Sequence, residues 1–213
     1  CEGCVIATNE QIVKGAMKPW CPFCRVPAPS SGKDFLERLK KRIRLNDAAV
    51  FNELGMQYRH GDLFVSQDLN KALPLFNRAA ELGFCRAHHQ IATQYLSGVG
   101  FEQDSDAAVH HFKLAAIGGH EGARHSLGVM EQLDGNMDRA MKHYIIAARS
   151  GLDKSLTKVG EGYKDEHVTK DEYASTLRAH QCIRDEMKSE QRDIAVVYEH
   201  EKQDPNWNSS INL

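Results

Sequence analysis

One set of residues returns along this chain at nearly fixed spacing, and that return constrains the fold more than any other feature. Ala72, Phe76, Ala79-Ala80 and Gly83 are followed eight residues later by Ile91. The set comes back as Ala108, Phe112, Ala115-Ala116, Gly119 and Leu127, and again as Ala140, Tyr144, Ala147-Ala148, Gly151 and Val159. The copies are 36 and then 32 residues apart, while the offsets inside each copy do not change. A repeat of this length marks stacked supersecondary units, each too small to bury its own apolar face.

Each unit reads as a pair of helices. The first helix carries a large-small pair: Leu54-Gly55, Ile91-Ala92, Leu127-Gly128 or Val159-Gly160. One turn later on the same face stand Tyr58, Tyr95 and Tyr163, with Glu131 interrupting the pattern in the third unit. The second helix carries a ring at Phe76, Phe112 or Tyr144, then an alanine pair where neighbouring helices can approach closely. Gly83, Gly119 and Gly151 stand where a helix ends and a left-handed residue is needed. The expectation is an all-α helical-hairpin solenoid of about four units. After Gly160 the pattern loosens, and Tyr173, Ala174, Leu177, Ile183 and Met187 continue a capping helix.

The pattern resembles the Sel-one-like repeat, a relative of the tetratricopeptide repeat with a longer connection inside each hairpin. The resemblance is most specific at Tyr95-Leu96-Ser97-Gly98-Val99-Gly100, followed by Asp104 and Ala107-Ala108. Leu54 to Ala72 spans 18 residues and Ile91 to Ala108 spans 17, but Leu127 to Ala140 only 13, nearer the plain tetratricopeptide form. The wording Ala115-Ala116-Ile117-Gly118-Gly119-His120, then Ala123-Arg124-His125, is similar to a group of diatom proteins that join a RING-type zinc domain to such repeats.

Composition argues against several alternatives. With 27 basic and 29 acidic residues the formal charge is -2, so nothing marks a general nucleic-acid binder. No apolar run approaches the roughly 20 residues a spanning helix needs, and no signal peptide opens the chain. The chain begins on Cys1 without a methionine and so reads as a piece of a longer protein. Four of its six cysteines fall in the first 24 residues, which suits a metal site in a reducing, cytoplasmic setting better than a disulfide framework.

Those four are Cys1-Glu2-Gly3-Cys4 and Cys21-Pro22-Phe23-Cys24, two C-x-x-C pairs with 16 residues between them. Zinc takes four soft ligands in a tetrahedron, and C-x-x-C presents two thiolates from one tight turn. A zinc ribbon would place all four on one ion. The wording Cys21-Pro22-Phe23-Cys24-Arg25, then Pro27, resembles instead the closing pair of a RING domain. That resemblance implies a truncated cross-brace, with Cys1 and Cys4 on one zinc and Cys21 and Cys24 on another. It also implies that Pro22, Arg25 and Pro27 face a ubiquitin-conjugating enzyme. The segments then read as 1-27 partial zinc module, 28-45 linker and lead-in helix, 46-187 repeat array with its cap, and 188-213 helix end and tail. On the lead-in helix Phe35, Leu36, Leu39 and Ile43 form an apolar stripe opposite Arg38, Lys40, Lys41, Arg42 and Arg44. Asn46-Asp47 caps the first repeat helix.

Eleven histidines raise the question of a metal or catalytic site. No zinc-protease pair with its acid, glycine-rich phosphate loop or serine nucleophile elbow accompanies them, and no catalytic residue is assigned. His89 and His125 hold one place in successive units, which Asn52 and Thr157 fill in the first and fourth. By the tetratricopeptide resemblance that place lines a concave partner-binding groove, together with Arg59, Gln132 and Lys164. The expected function is a protein-interaction scaffold linked to a zinc module serving ubiquitin transfer. The alternative is a RING-type ubiquitin ligase whose repeats choose the substrate.

Overall fold

The computed structural model describes residues 32–61, 65–98 and 102–187. Every regular element among them is a helix. The chain divides into two compact units, Cys1–Leu127 and Gly128–Leu213, with the division inside a helix.

The first unit begins with α1 (Gly32–Ile43), followed by α2 (Ala48–His60), α3 (Leu69–Glu81), α4 (Cys85–Ser97), α5 (Ser105–Ile117) and the start of α6 (Glu121–Leu133). Short polar side chains start three of these helices. Asp47 accepts from the Ala49 amide at 3.1 Å, Asp68 from Lys71 at 3.1 Å and Asp104 from Ala107 at 2.8 Å. Gly83 and Gly119 take φ of 84° and 87°, the left-handed turn the repeat demands. The α1 stripe buries Leu39 and packs Ile43 against Phe51, Ala79 and Ala87. Much of its basic face is neutralised locally, by Arg38 on Asp34, Lys40 on Glu37 and Arg42 on Asp47.

In this unit α2 packs on α3, α3 on α4 and α4 on α5. Phe76 is fully buried beside Ala72 and Ile91, with Tyr58 and Tyr95 at the margin. The large-small pair explains itself here: a Cβ on Gly55 would stand 2.6 Å from Cε1 of Phe76. The helix can lie on the ring only because nothing projects at that position.

The second unit contains the rest of α6, then α7 (Met137–Arg149), α8 (Asp153–Lys164) and α9 (Lys170–Met187). Its core gathers Ala140, Met141, Tyr144, Ala148, Val159 and Val168. Gly128 repeats the arrangement of Gly55, with its Cβ position 2.7 Å from Cε1 of Tyr144. The connection from α6 to α7 is residues 134–136, against 61–68 and 98–104 in the earlier pairs, as the shorter spacing requires. Helix α9 starts with a capping box: Thr169 and Glu172 exchange backbone and side-chain hydrogen bonds. It buries Thr176 and His180, and Arg184 clasps Asp153 at 3.0 and 2.9 Å.

The tyrosine register is less uniform than the sequence suggests. Tyr58 lies under the Lys71 ammonium, Tyr95 stacks on His111, and Tyr163 is 38% exposed, stacked on Tyr173. Glu131, standing in place of the third ring, pairs with Arg139.

Candidate functional site

In the first unit the polar side chains expected on the groove belong to α2, α4 and the start of α6. Asn52 and Arg59 are seven residues apart on α2, two turns along one side and about 10.5 Å by helical rise. The structure buries Asn52 to 6% exposure, which departs from a residue lining open space, and its Oδ1 has no hydrogen-bond partner. Helix α3 covers this part of α2, because Gly55 lets the Phe76 ring come close.

Arg59 is half-buried, and its Nη1 donates to Oε1 of Gln90 on α4 at 2.6 Å. Burial pushes its guanidinium below the usual arginine range. None of the ion pairs among the described residues includes it. The contact joins the first helices of two successive repeats. Gln90 carries no periodic signal, since Glu53, Ser126 and Lys158 hold its place elsewhere. One turn along α4, Gln94 is 2% exposed, and neither atom of its amide has a partner.

His89 stacks on His120 with centroids 4.5 Å apart and meets Phe112 edge-on at 5.5 Å. His120 in turn accepts the Ala123 amide on Nδ1 at 3.1 Å, closing the first turn of α6. Its acceptor nitrogen must carry no proton to do so. Gly122 leaves room for both rings: a Cβ there would come within 2.9 Å of His120 Cε1 and 3.6 Å of His89 Nε2. His125, one turn further, is half-buried. His89 thus packs between two rings, and His120 caps α6.

A second imidazole contact was not foreseen. Nδ1 of His88 on α4 is 3.1 Å from Nδ1 of His111 on α5, and His110 packs edge-on to His111. One ring must donate and the other accept, so both cannot carry a proton on that nitrogen. Burial, and then the neighbouring imidazoles, push both His88 and His111 below the usual range.

The remaining expected residues belong to the second unit. Gln132 accepts the Tyr144 hydroxyl at 2.8 Å, so its amide anchors a core ring. Burial, followed by the charge of Glu161, pushes that phenol up. Thr157 turns its hydroxyl back onto the Asp153 carbonyl at 3.2 Å, and Lys164 is exposed at the end of α8. Across α8 and α9, His180 Nε2 lies 3.1 Å from Asp153 Oδ1 but is not aligned for a hydrogen bond.

Cys1, Cys4, Cys21 and Cys24, with Pro22, Arg25 and Pro27, lie outside the described residues. Among the described residues no three histidine, cysteine, aspartate or glutamate side chains gather closely enough to hold a metal ion. No helix among them is long and apolar enough to cross a membrane.

The comparisons with known proteins bear on the helical hairpins. The family model described as the Sel1 repeat matches residues 52–84, 85–120 and 122–152. A protective antigen of uropathogenic Escherichia coli strains, displaying an SLR fold, is similar over 72% of this chain at 31% identity, with a TM-score of 0.59. A Sel1 repeat protein from Oxalobacter formigenes is similar over the same share at 22% identity, with a TM-score of 0.64. The chain spans 33% of the length of the first and 65% of the second.

Proposed function

Residues 52–152 are Sel1 repeats, and on that premise we propose that the chain is a protein-interaction scaffold whose partner lies along the first helices of its repeats. Sel1 repeat proteins generally serve as scaffolds of this kind. The observation that carries the reading here is the Arg59–Gln90 bond, which joins the polar sides of α2 and α4 into one surface. A photo-crosslinking residue tests it. At Thr93, on the α4 side that also carries His89, it should attach to a protein partner identified by mass spectrometry. At Lys113, exposed on α5, it should not. The reverse pattern refutes the reading.

The two cysteine pairs support a further part of the proposal. Cys1, Cys4, Cys21 and Cys24 have the residue types and spacing to hold zinc. Arg25, between Pro22 and Pro27, would then meet a ubiquitin-conjugating enzyme, making the protein a scaffold for ubiquitin transfer or the ligase itself. This part rests on the wording of residues 1–27. Metal analysis of the purified chain should find zinc, and Cys21→Ser should lower it. With zinc bound, discharge of a charged conjugating enzyme that is slowed by Arg25→Ala favours the ligase. No discharge leaves the plain scaffold.

A further inference from the structure

We propose that His88 and His111 bind a divalent transition-metal ion of the zinc, copper and nickel class, clamped between α4 and α5 by their two Nδ1 atoms. Those atoms are 3.1 Å apart. An ion about 2.0–2.1 Å from each would see them about 98° apart, between the square and tetrahedral angles, and about 1.3 Å off the line that joins them. The spacing thus suits two neighbouring ligands of one ion. The chain supplies these two donors, and water completes the shell, since no third ligating side chain among the described residues closes it. Imidazole without a carboxylate favours zinc, copper and nickel over magnesium and calcium, which take oxygen ligands.

The repeat supplies a second, independent observation. His88 stands three residues before Ile91, and His111 one before Phe112. In the preceding hairpin those places are Phe51, three before Leu54, and Leu75, one before Phe76, and there Leu75 packs against Phe51 in the core. In the second hairpin both sides of that apolar contact are imidazoles at once, meeting nitrogen to nitrogen. Packing does not ask for the exchange, because half-burying two polar rings costs stability that Phe and Leu do not. Nor is the pair a salt link: besides burial, the groups that act on the two rings are imidazoles, with no carboxylate among them. Burial and His110 favour the neutral rings, the form that offers a lone pair to a metal. Loading the site needs only that the donor ring carry its proton on Nε2 instead, so that both Nδ1 lone pairs meet the ion and no proton is gained or lost. The His111 ring is already held from two sides, by Tyr95 stacked at 5.9 Å and His110 edge-on at 5.4 Å.

Zinc chloride titrated calorimetrically into the 213-residue chain tests this, with Cys1→Ser, Cys4→Ser, Cys21→Ser and Cys24→Ser made first so that thiolates do not compete. One ion should bind per chain. Adding His88→Phe and His111→Leu, the apolar pair of the preceding hairpin, should weaken binding at least tenfold, whereas His125→Gln should leave it unchanged. In a chelator the Phe–Leu variant should melt no lower than its background, which separates loss of the site from loss of the fold. Zinc should raise the melting temperature of the background and not that of the variant, and magnesium should raise neither. In the chain with its cysteines intact, zinc should shift the imidazole nitrogen resonances of His88 and His111 at Nδ1. Absence of binding, or zinc bound equally well by the Phe–Leu variant, overturns the inference. So do Nδ1 resonances that zinc leaves in place.

Discussion

Two glycines in α6 and α8, Gly128 and Gly160, should respond to alanine with opposite sign. Both are helical, so alanine gains about 0.8–1.0 kcal/mol of helix propensity at either place. At Gly160 the nearest foreign atom to a new Cβ is the Tyr173 hydroxyl at 3.6 Å, an ordinary contact. Gly160→Ala should therefore stabilise by about 1 kcal/mol. At Gly128 the same Cβ would lie 2.7 and 2.8 Å from two ring atoms of Tyr144. That ring cannot slide away: it is fully buried, and its hydroxyl is tied to Gln132 at 2.8 Å. Overpacking costs about 1–3 kcal/mol, and a tethered ring belongs near the upper end. Less the propensity gain, Gly128→Ala should lose about 2 kcal/mol, so the variants should differ by about 3 kcal/mol. Both residues lie in the second unit, so one urea transition followed by circular dichroism reports on both. In a Tyr144→Phe background the ring loses its tether, and the cost of Gly128→Ala should shrink. Equal midpoints for Gly128→Ala and Gly160→Ala would refute the contact, and with it the account of the large-small pair.

The imidazole contact predicts a pH window. His88 and His111 hold protons less readily folded than unfolded, so their stability is fully present above about pH 6.5. It is lost as pH falls below that value toward their depressed folded range. Thermal unfolding at pH 7.5 and 5.5 should show a larger drop for the parent than for His111→Gln, and equal drops would contradict the pairing. Ala115 is fully buried, so Ala115→Leu should cost about 1–3 kcal/mol. Ile117→Ala, at a residue 79% exposed, should stay within about 0.5 kcal/mol in the same denaturation series. A chelator should leave the helix signal in circular dichroism nearly unchanged, since hairpin packing holds the helices; a large loss would show that metal supports them.

The helical pairs were legible because their demands recur. A ring at Phe76, Phe112 or Tyr144 needs a small residue opposite, and a chain reversal needs Gly83, Gly119 or Gly151 in a left-handed turn. Each rule is written three times, so chance substitutions do not erase it. Shortening of the third connection was legible for the same reason, as a spacing fixes a loop length. Tyr163 and Glu131 differ from Tyr58 and Tyr95 because their neighbours differ. Tyr163 meets Tyr173 of the capping helix, and Glu131 meets Arg139 beside a short loop.

The face resisted reading because nothing forces its residues to repeat. Position alone put Asn52, Arg59, His89 and His125 on one list, yet the structure gives them different work. His89 packs on His120 and Phe112, whereas Asn52 keeps an unmet acceptor and Arg59 an unmatched charge. Gln132, from the same list, serves the core by holding Tyr144. What separates these roles is the partner each side chain finds across a helix pair, and those partners are tens of residues away in sequence: Gln90 for Arg59, His120 for His89. A repeat tells its core residues what to be in every copy. It leaves the exposed face free to differ from one copy to the next, and in that difference a scaffold distinguishes one partner from another.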